Sequence, residues 1–307
     1  MHKYQYTDTL KEEINLIWEK VQIEDNSHLE RINLRDEKNE IFLECKMFLD
    51  KELYLWSYIF DISIEFMYLL HKKSFECFNY DKENQSPAFS LICGKLTSLL
   101  LGIKELLSIG HEDNARLLSR TFLECVDIAL VSLYDEAFED FIVPGDEICS
   151  KEFWKKKIAY GKINNKIRQV INIAGIDDVE MKYYLSQRKK VKSILSDSVH
   201  LSSSTIFRSN LIPSIKYKGK LSVNLLGHIS THTPQHMMYI IDEVFHFGSI
   251  IIKLIMSKKS PKLFSQFTEI ENSKDLFVYF LFLQELVVKY GDCLSKDFVH
   301  EFNELVP

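Results

Sequence analysis

The sequence predicts an all-α protein, and three observations predict it. Only ten glycines and six prolines interrupt 307 residues, too few for a fold built on tight turns. Apolar residues recur at helical spacing in almost every segment. One stretch alone, residues 201–234, loses that period over any length, so irregular chain is concentrated in one place.

The elements follow in order. Residues 8–24 set Leu10, Ile14, Ile17 or Trp18, and Val21 on one stripe. Residues 39–78 carry Ile41, Phe42, Phe48, Leu49, Leu53, Trp56, Ile59 and Phe60 without a Gly or Pro, which predicts one very long helix or two with a slight break. A polar connector over 79–86 leads to Ser86 and Pro87, a cap followed by proline at a first helical position. The helix over 87–108 closes at Gly110. Another starts near Asp113 or Asn114 and runs to about Phe138, ahead of Val143, Pro144 and Gly145.

Residues 150–173 predict a basic amphipathic helix. Gly175 interrupts, and Asp177 or Asp178 opens a further helix to about Val199. Within 201–234 the serines, glycines and prolines bar regular helix and leave one short alternating run. Loops of that length more often carry function than not. Helix resumes near Pro234, with Thr233 as N-cap, and continues to about Ser257. Two short helices, about 274–291 and 295–304, close the chain.

Composition narrows the function classes. Apolar residues at 46% and charged residues at 27% are ordinary for a globular protein. A formal charge of −6 gives no global drive toward nucleic acid, so RNA or DNA would need a local basic patch. One candidate exists. Lys151, Lys155, Lys156, Lys157, Lys162, Lys166 and Arg168 are interleaved with Phe153, Trp154 and Tyr160, and Arg188, Lys189, Lys190 and Lys192 follow. A solvated helix face is the plainer account of that run, yet outside 151–220 the chain is distinctly negative.

Six cysteines lack short paired spacings and read as small buried hydrophobes of a reduced, cytoplasmic protein. The first ten residues hold no apolar signal segment. The two most apolar segments carry Asp61 and Glu65, and Asp242, Glu243 and His246, which argues against membrane spans. No phosphate-cradling glycine loop, dinucleotide fingerprint or nucleophile elbow is present, so no cofactor is expected.

The chemistry centres on ARLLSRTFLECVDIAL, residues 115–130. Arg116, Arg120, Glu124 and Asp127 fall at spacings of four, four and three, on one face of a helix flanked by Leu117, Leu118, Phe122, Leu123 and Val126. An exposed row of ion pairs would have the same spacing. The apolar flanks favour a partly buried stripe, in which Glu124→Ala would cost roughly 2–4 kcal/mol. A second feature is SILSDSVH, where Ser196 and His200 lie four apart near a helix end. A third is His228, His232 and His236. Their spacings of four suggest zinc, but Pro234 prevents one helix from presenting all three, so loop histidines and no metal are expected.

Arg120 and Glu124 in SRTFLECVD, with Leu195, Ser196, Val199 and His200 in SILSDSVH, form a pattern that resembles a set of bacterial helical proteins. Their fold is similar to the HEPN superfamily (higher eukaryote and prokaryote nucleotide-binding) and to abortive-infection proteins. The resemblance covers about residues 88–205 and departs at Lys192, where an aromatic is usual. It implies a helical core over 86–205 and says nothing about either end, where the helical periodicity predicts an N-terminal helical extension over 1–85. Over 206–307 an irregular loop and C-terminal helices pack on that core, and all three parts can form one domain.

The resemblance also implies an antiviral defence or toxin-type protein that binds RNA or a nucleotide, acts as a homodimer or with a protein partner, and uses a metal-independent ribonuclease site. That site would hold Arg120, Glu124, Ser196 and His200 as catalytic residues, and Arg116, Arg188, Lys189 and Lys192 against the ligand. The superfamily's usual Arg followed within about seven residues by His is missing, since no arginine here has a downstream His at that spacing. The alternative is a non-catalytic scaffold or sensor whose polar stripe is structural and whose long helices bind a protein partner.

Overall fold

A computed structural model describes residues 34–76, 88–142, 150–199, 211–213, 221–223, 232–257 and 270–302, with positions 12, 16, 19, 20 and 229. The chain divides into two compact units, Met1–Glu40 and Ile41–Pro307. In the first, Glu12, Leu16, Glu19 and Lys20 are helical and exposed, which is one polar face of the helix expected over 8–24. The apolar stripe expected opposite lies outside the described residues.

The second unit is all-α among its described residues apart from one short hairpin. The helices are α1 (Leu34–Glu76), α2 (Ala88–Ser108), α3 (Glu112–Ser132), α4 (Glu136–Ile142), α5 (Ser150–Phe153), α6 (Asn164–Ile173), α7 (Asp178–Val199), α8 (His232–Ser257) and α9 (Ile270–Phe302). The irregular 201–234 segment contains β1 (Leu211–Pro213) and β2 (Leu221–Val223), paired antiparallel with Ile212 opposite Ser222. That pairing is where the short alternating run falls.

Helix ends follow the local chemistry. Gly110 sits at φ +77°, and the Gly110 and His111 amides donate to the Leu107 and Leu106 carbonyls, so α2 closes as the glycine predicted. Gly175, at φ +76°, closes α6 the same way onto Asn172 and Ile171. Asp177 Oδ1 accepts from the Val179 and Glu180 amides and opens α7.

Four expectations need correction. The helix that carries ARLLSRTFLECVDIAL starts at Glu112, without a side-chain cap, and ends at Ser132, because Asp135 Oδ1 takes the Ala137 amide and starts α4. The basic helix over 150–173 is broken. After α5 the chain makes a wide π turn, Trp154–Ile158, then a 3₁₀ turn ending at Gly161 with φ +76°. α8 begins at His232, so Thr233 lies inside it. The two short C-terminal helices are one continuous helix, α9.

The core is one cluster around α2, α3 and α8. α3 packs along α2 and also touches α4, α6, α7 and α8. Trp56, Phe60, Phe66 and Met67 of α1 are fully buried in the same cluster as Phe122, Phe247 and Leu283. Residues 53–75 therefore belong to this core, and the division of the chain falls near residue 40 rather than near 85 and 205. Among the described residues one stretch, Leu53–Phe75, is long and apolar enough to cross a membrane, and its apolar residues are largely those buried here.

Candidate functional site

α3, α7 and α8 meet through a buried charge network. α7 turns Met181, Tyr184, Arg188 and Leu195 inward at helical spacing, so Arg188 sits on a stripe that is otherwise apolar or aromatic. Its guanidinium binds Asp127 of α3, donates to the Leu123 carbonyl at 2.7 Å, and lies 2.9 Å from Glu243 of α8. The last approach is off the line of a hydrogen bond. Lys192, one turn on, donates to the other Asp127 oxygen at 2.5 Å, and the Tyr184 hydroxyl donates to Glu243 at 3.0 Å.

Two cations and two carboxylates balance, which is what makes their burial tolerable. Burial lowers the Arg188 pKa, but Asp127 and Glu243 more than reverse this, so the guanidinium stays charged. Burial lifts the Glu243 carboxyl and lowers the Lys192 ammonium. Asp242 beside them is pushed up to about 6, by burial first and by Glu243 second.

Arg188 and Lys192, expected against a ligand, are thus both engaged by carboxylates of the protein itself. Lys189 stays exposed. The two carboxylates that hold them are legible in the sequence as acidic residues on apolar helices, but their partner across three helices is not.

The stripe on α3 does not act as one row. Arg116 pairs with Glu112 at 2.6 Å, and Arg120 pairs with Glu124 at 3.0 Å, with 27% and 32% of those two side chains exposed. The Arg120–Glu124 pair is thus an ion pair along one helix, open to water, and not a sealed site. The Ser196 hydroxyl donates to the Lys192 carbonyl at 2.6 Å within its own helix. His200 lies outside the described residues; among the described members of the proposed catalytic set, Arg120 and Glu124 are the two that meet.

Among the described residues, His236 reaches α3. Its Nε2 lies 2.8 Å from the Ser119 hydroxyl, with Ser119 fully buried and His236 5% exposed. Ser119 also donates to the Ala115 carbonyl at 2.8 Å. The hydroxyl then accepts from Nε2–H, which leaves Nδ1 as a bare acceptor, and Nδ1 finds no partner. Burial lowers the His236 pKa to about 4; Glu112 opposes this and Arg116 reinforces it. These are the atom types of a serine–histidine dyad. Sealed from water, with the serine proton given to the backbone, they tie α3 to α8 and reach no substrate.

Among the described residues no group of three His, Cys, Asp or Glu side chains could hold an ion. His246 packs on the Tyr184 ring at 4.8 Å, and His228 lies outside the described residues. Cys93 and Cys125 are free thiols whose pKa values burial raises, that of Cys125 to about 11.

The basic run is exposed. Phe153 stacks on Phe141 at 4.2 Å and meets Phe138 edge-on at 5.1 Å, which anchors α5. The π turn beyond it then carries Trp154, Lys155 and Lys156 outward. Arg168 on α6, and Lys182, Lys189 and Lys190 on α7, are exposed as well. Lys166 is taken up by Asp135, inside an open cleft of about 470 Å³ between the end of α3, α4 and α6.

The chain matches no family model, no curated protein and no solved structure.

Proposed function

We propose that this is a non-catalytic helical protein that binds RNA through the basic surface between Lys151 and Lys190. One observation carries the reading. Lys151, Lys155, Lys157, Arg168, Lys182, Lys189 and Lys190 make no ion pair among the described residues, in a chain whose formal charge is −6. Cations left unpaired in an acidic protein favour a polyanionic partner through counterion release. Trp154, 44% exposed, and Tyr183, 60% exposed, offer faces on which unstacked bases can lie.

The resemblance to HEPN-like and abortive-infection proteins supports an RNA ligand and a bacterial defence setting. The non-catalytic reading is supported by Arg120, which pairs along its own helix, and by the Ser119–His236 pair, which is buried. The network at Arg188 favours the structural part of the scaffold alternative, since it holds helices together.

Fluorescence anisotropy with a short labelled single-stranded RNA tests the reading. Affinity should fall steeply with salt. Lys155→Glu with Lys157→Glu, Lys189→Glu and Lys190→Glu should weaken binding more than ten-fold. The same variant should flatten the log–log salt slope by about 0.7 for each phosphate it no longer neutralises. An unchanged affinity in that variant, or no binding at low salt, overturns the proposal.

A further inference from the structure

α9 packs on the core through Leu276, Phe280 and Leu283 and leaves its opposite face uncovered. That outer face has a regular order. Lys274, Val278, Leu281 and Glu285 are spaced four, three and four, the 3.5-residue repeat of a helix–helix seam. All four are exposed, Val278 and Leu281 at 56% each, and Phe282 beside them at 41%.

The repeat runs on to Val288, 69% exposed, and its four positions from Lys274 to Glu285 are symmetric about their own midpoint. Two apolar residues stand at the centre, with a cation at one end and an anion at the other. Turning a second α9 end for end therefore sets Val278 against Leu281 and Lys274 against Glu285, twice each.

We propose that this seam is a self-complementary surface that takes a second copy of the same chain, antiparallel, in a twofold-symmetric homodimer. The charge order selects that occupant. A parallel copy would place Lys274 on Lys274 and Glu285 on Glu285, whereas the antiparallel one satisfies both charges and covers both apolar residues. The seam is short, so the dimer is weak, in the micromolar range. The inference is independent of RNA binding, since α9 contributes nothing to the basic run.

Sedimentation velocity of the full chain over a concentration series tests it. The wild type should move from monomer to dimer as concentration rises. Lys274→Glu alone and Glu285→Lys alone each create like-charge pairs and should raise the dimer dissociation constant at least ten-fold. An equimolar mixture of those two variants places opposite charges in both end pairs, so it should recover wild-type association as a heterodimer. Because the substituted side chains are exposed, circular dichroism melts should be unchanged, which separates loss of association from loss of fold. A wild type that stays monomeric, single variants that associate as well as the wild type, or a mixture that fails to recover would each overturn the proposal.

Discussion

Arg188→Ala is the sharpest test of how this core is held. The substitution removes one guanidinium and leaves three groups behind it: Asp127, Glu243 and the Leu123 carbonyl. Asp127 keeps Lys192, and Glu243 keeps the Tyr184 hydroxyl, but two carboxylates then share a buried space with one ammonium. Breaking a buried pair by removing one member costs about 3–5 kcal/mol. Against a total stability of roughly 5–15 kcal/mol, that is a large fraction. At about 2–4 °C per kcal/mol for a domain of this size, the melting temperature should fall by about 6–20 °C.

The loss should also depend on pH. Glu243 already sits above the usual carboxylate range because of burial, and Arg188 holds it down. Without Arg188 it takes a proton more readily, so the deficit should be smaller at pH 5 than at pH 8. Urea unfolding followed by circular dichroism at both values measures it. A loss below about 1 kcal/mol that is the same at both would refute the claim that the network is a coupled buried unit. Replacing Asp127, Arg188, Lys192 and Glu243 together by apolar residues of similar volume should cost less than removing Arg188 alone.

Three further outcomes follow from the same geometry. His236, held near 4 against an ordinary 6.5, contributes stability that is fully present above about pH 6.5 and lost as pH falls toward 4; the loss is about 3 kcal/mol in chemical denaturation and should be absent in His236→Gln. Asp242, raised to about 6, has the opposite sign: its ionisation costs stability between about pH 4 and 6, so Asp242→Asn should stabilise the protein by up to about 3 kcal/mol at pH 7.5 and have no effect below pH 4. Glu124→Ala should cost no more than about 0.5 kcal/mol in thermal unfolding, because its partner Arg120 is as wet as it is; a loss of about 2–4 kcal/mol would restore the buried stripe the sequence suggests.

Local signals in this sequence translate well into local structure. Gly110 and Gly175 end helices where a left-handed residue is needed, and Asp177 starts one, because each acts on neighbours within five residues. The absence of Gly and Pro over 39–78 yields one unbroken helix for the same reason. Sites assembled across helices are less legible. Asp127 and Glu243 are visible as charges on apolar helices, but Arg188 is visible only as part of a basic run, and periodicity does not say which helices adjoin. The resemblance points to His200, four residues from Ser196, as a histidine that meets the α3 motif, and His200 lies outside the described residues. His236, which does touch α3, comes from 117 residues after Ser119 and carries no local mark beyond its place in the first turns of α8. Apolar flanks suggest a buried Arg120 stripe, yet a flank reports burial of its own side of the helix and not of the residue between.

Gly248 bears on how the chain is made. A Cβ there would lie 2.9 Å from the Phe66 ring and 3.0 Å from the Phe280 ring, so α8 admits α1 and α9 against its bare backbone. Phe280 also stacks on Phe245 at 5.8 Å. During synthesis α1 leaves the ribosome about two hundred residues before its α9 partner does. Through that interval Phe66 lacks the Phe280 ring, as Phe245 does from its own synthesis onward, and the nascent chain presents an unfinished aromatic face to its surroundings. The last helix is thus the closing piece of the core, and a ribosome stalled before residue 270 would hold a chain that is sticky rather than half-folded and inert.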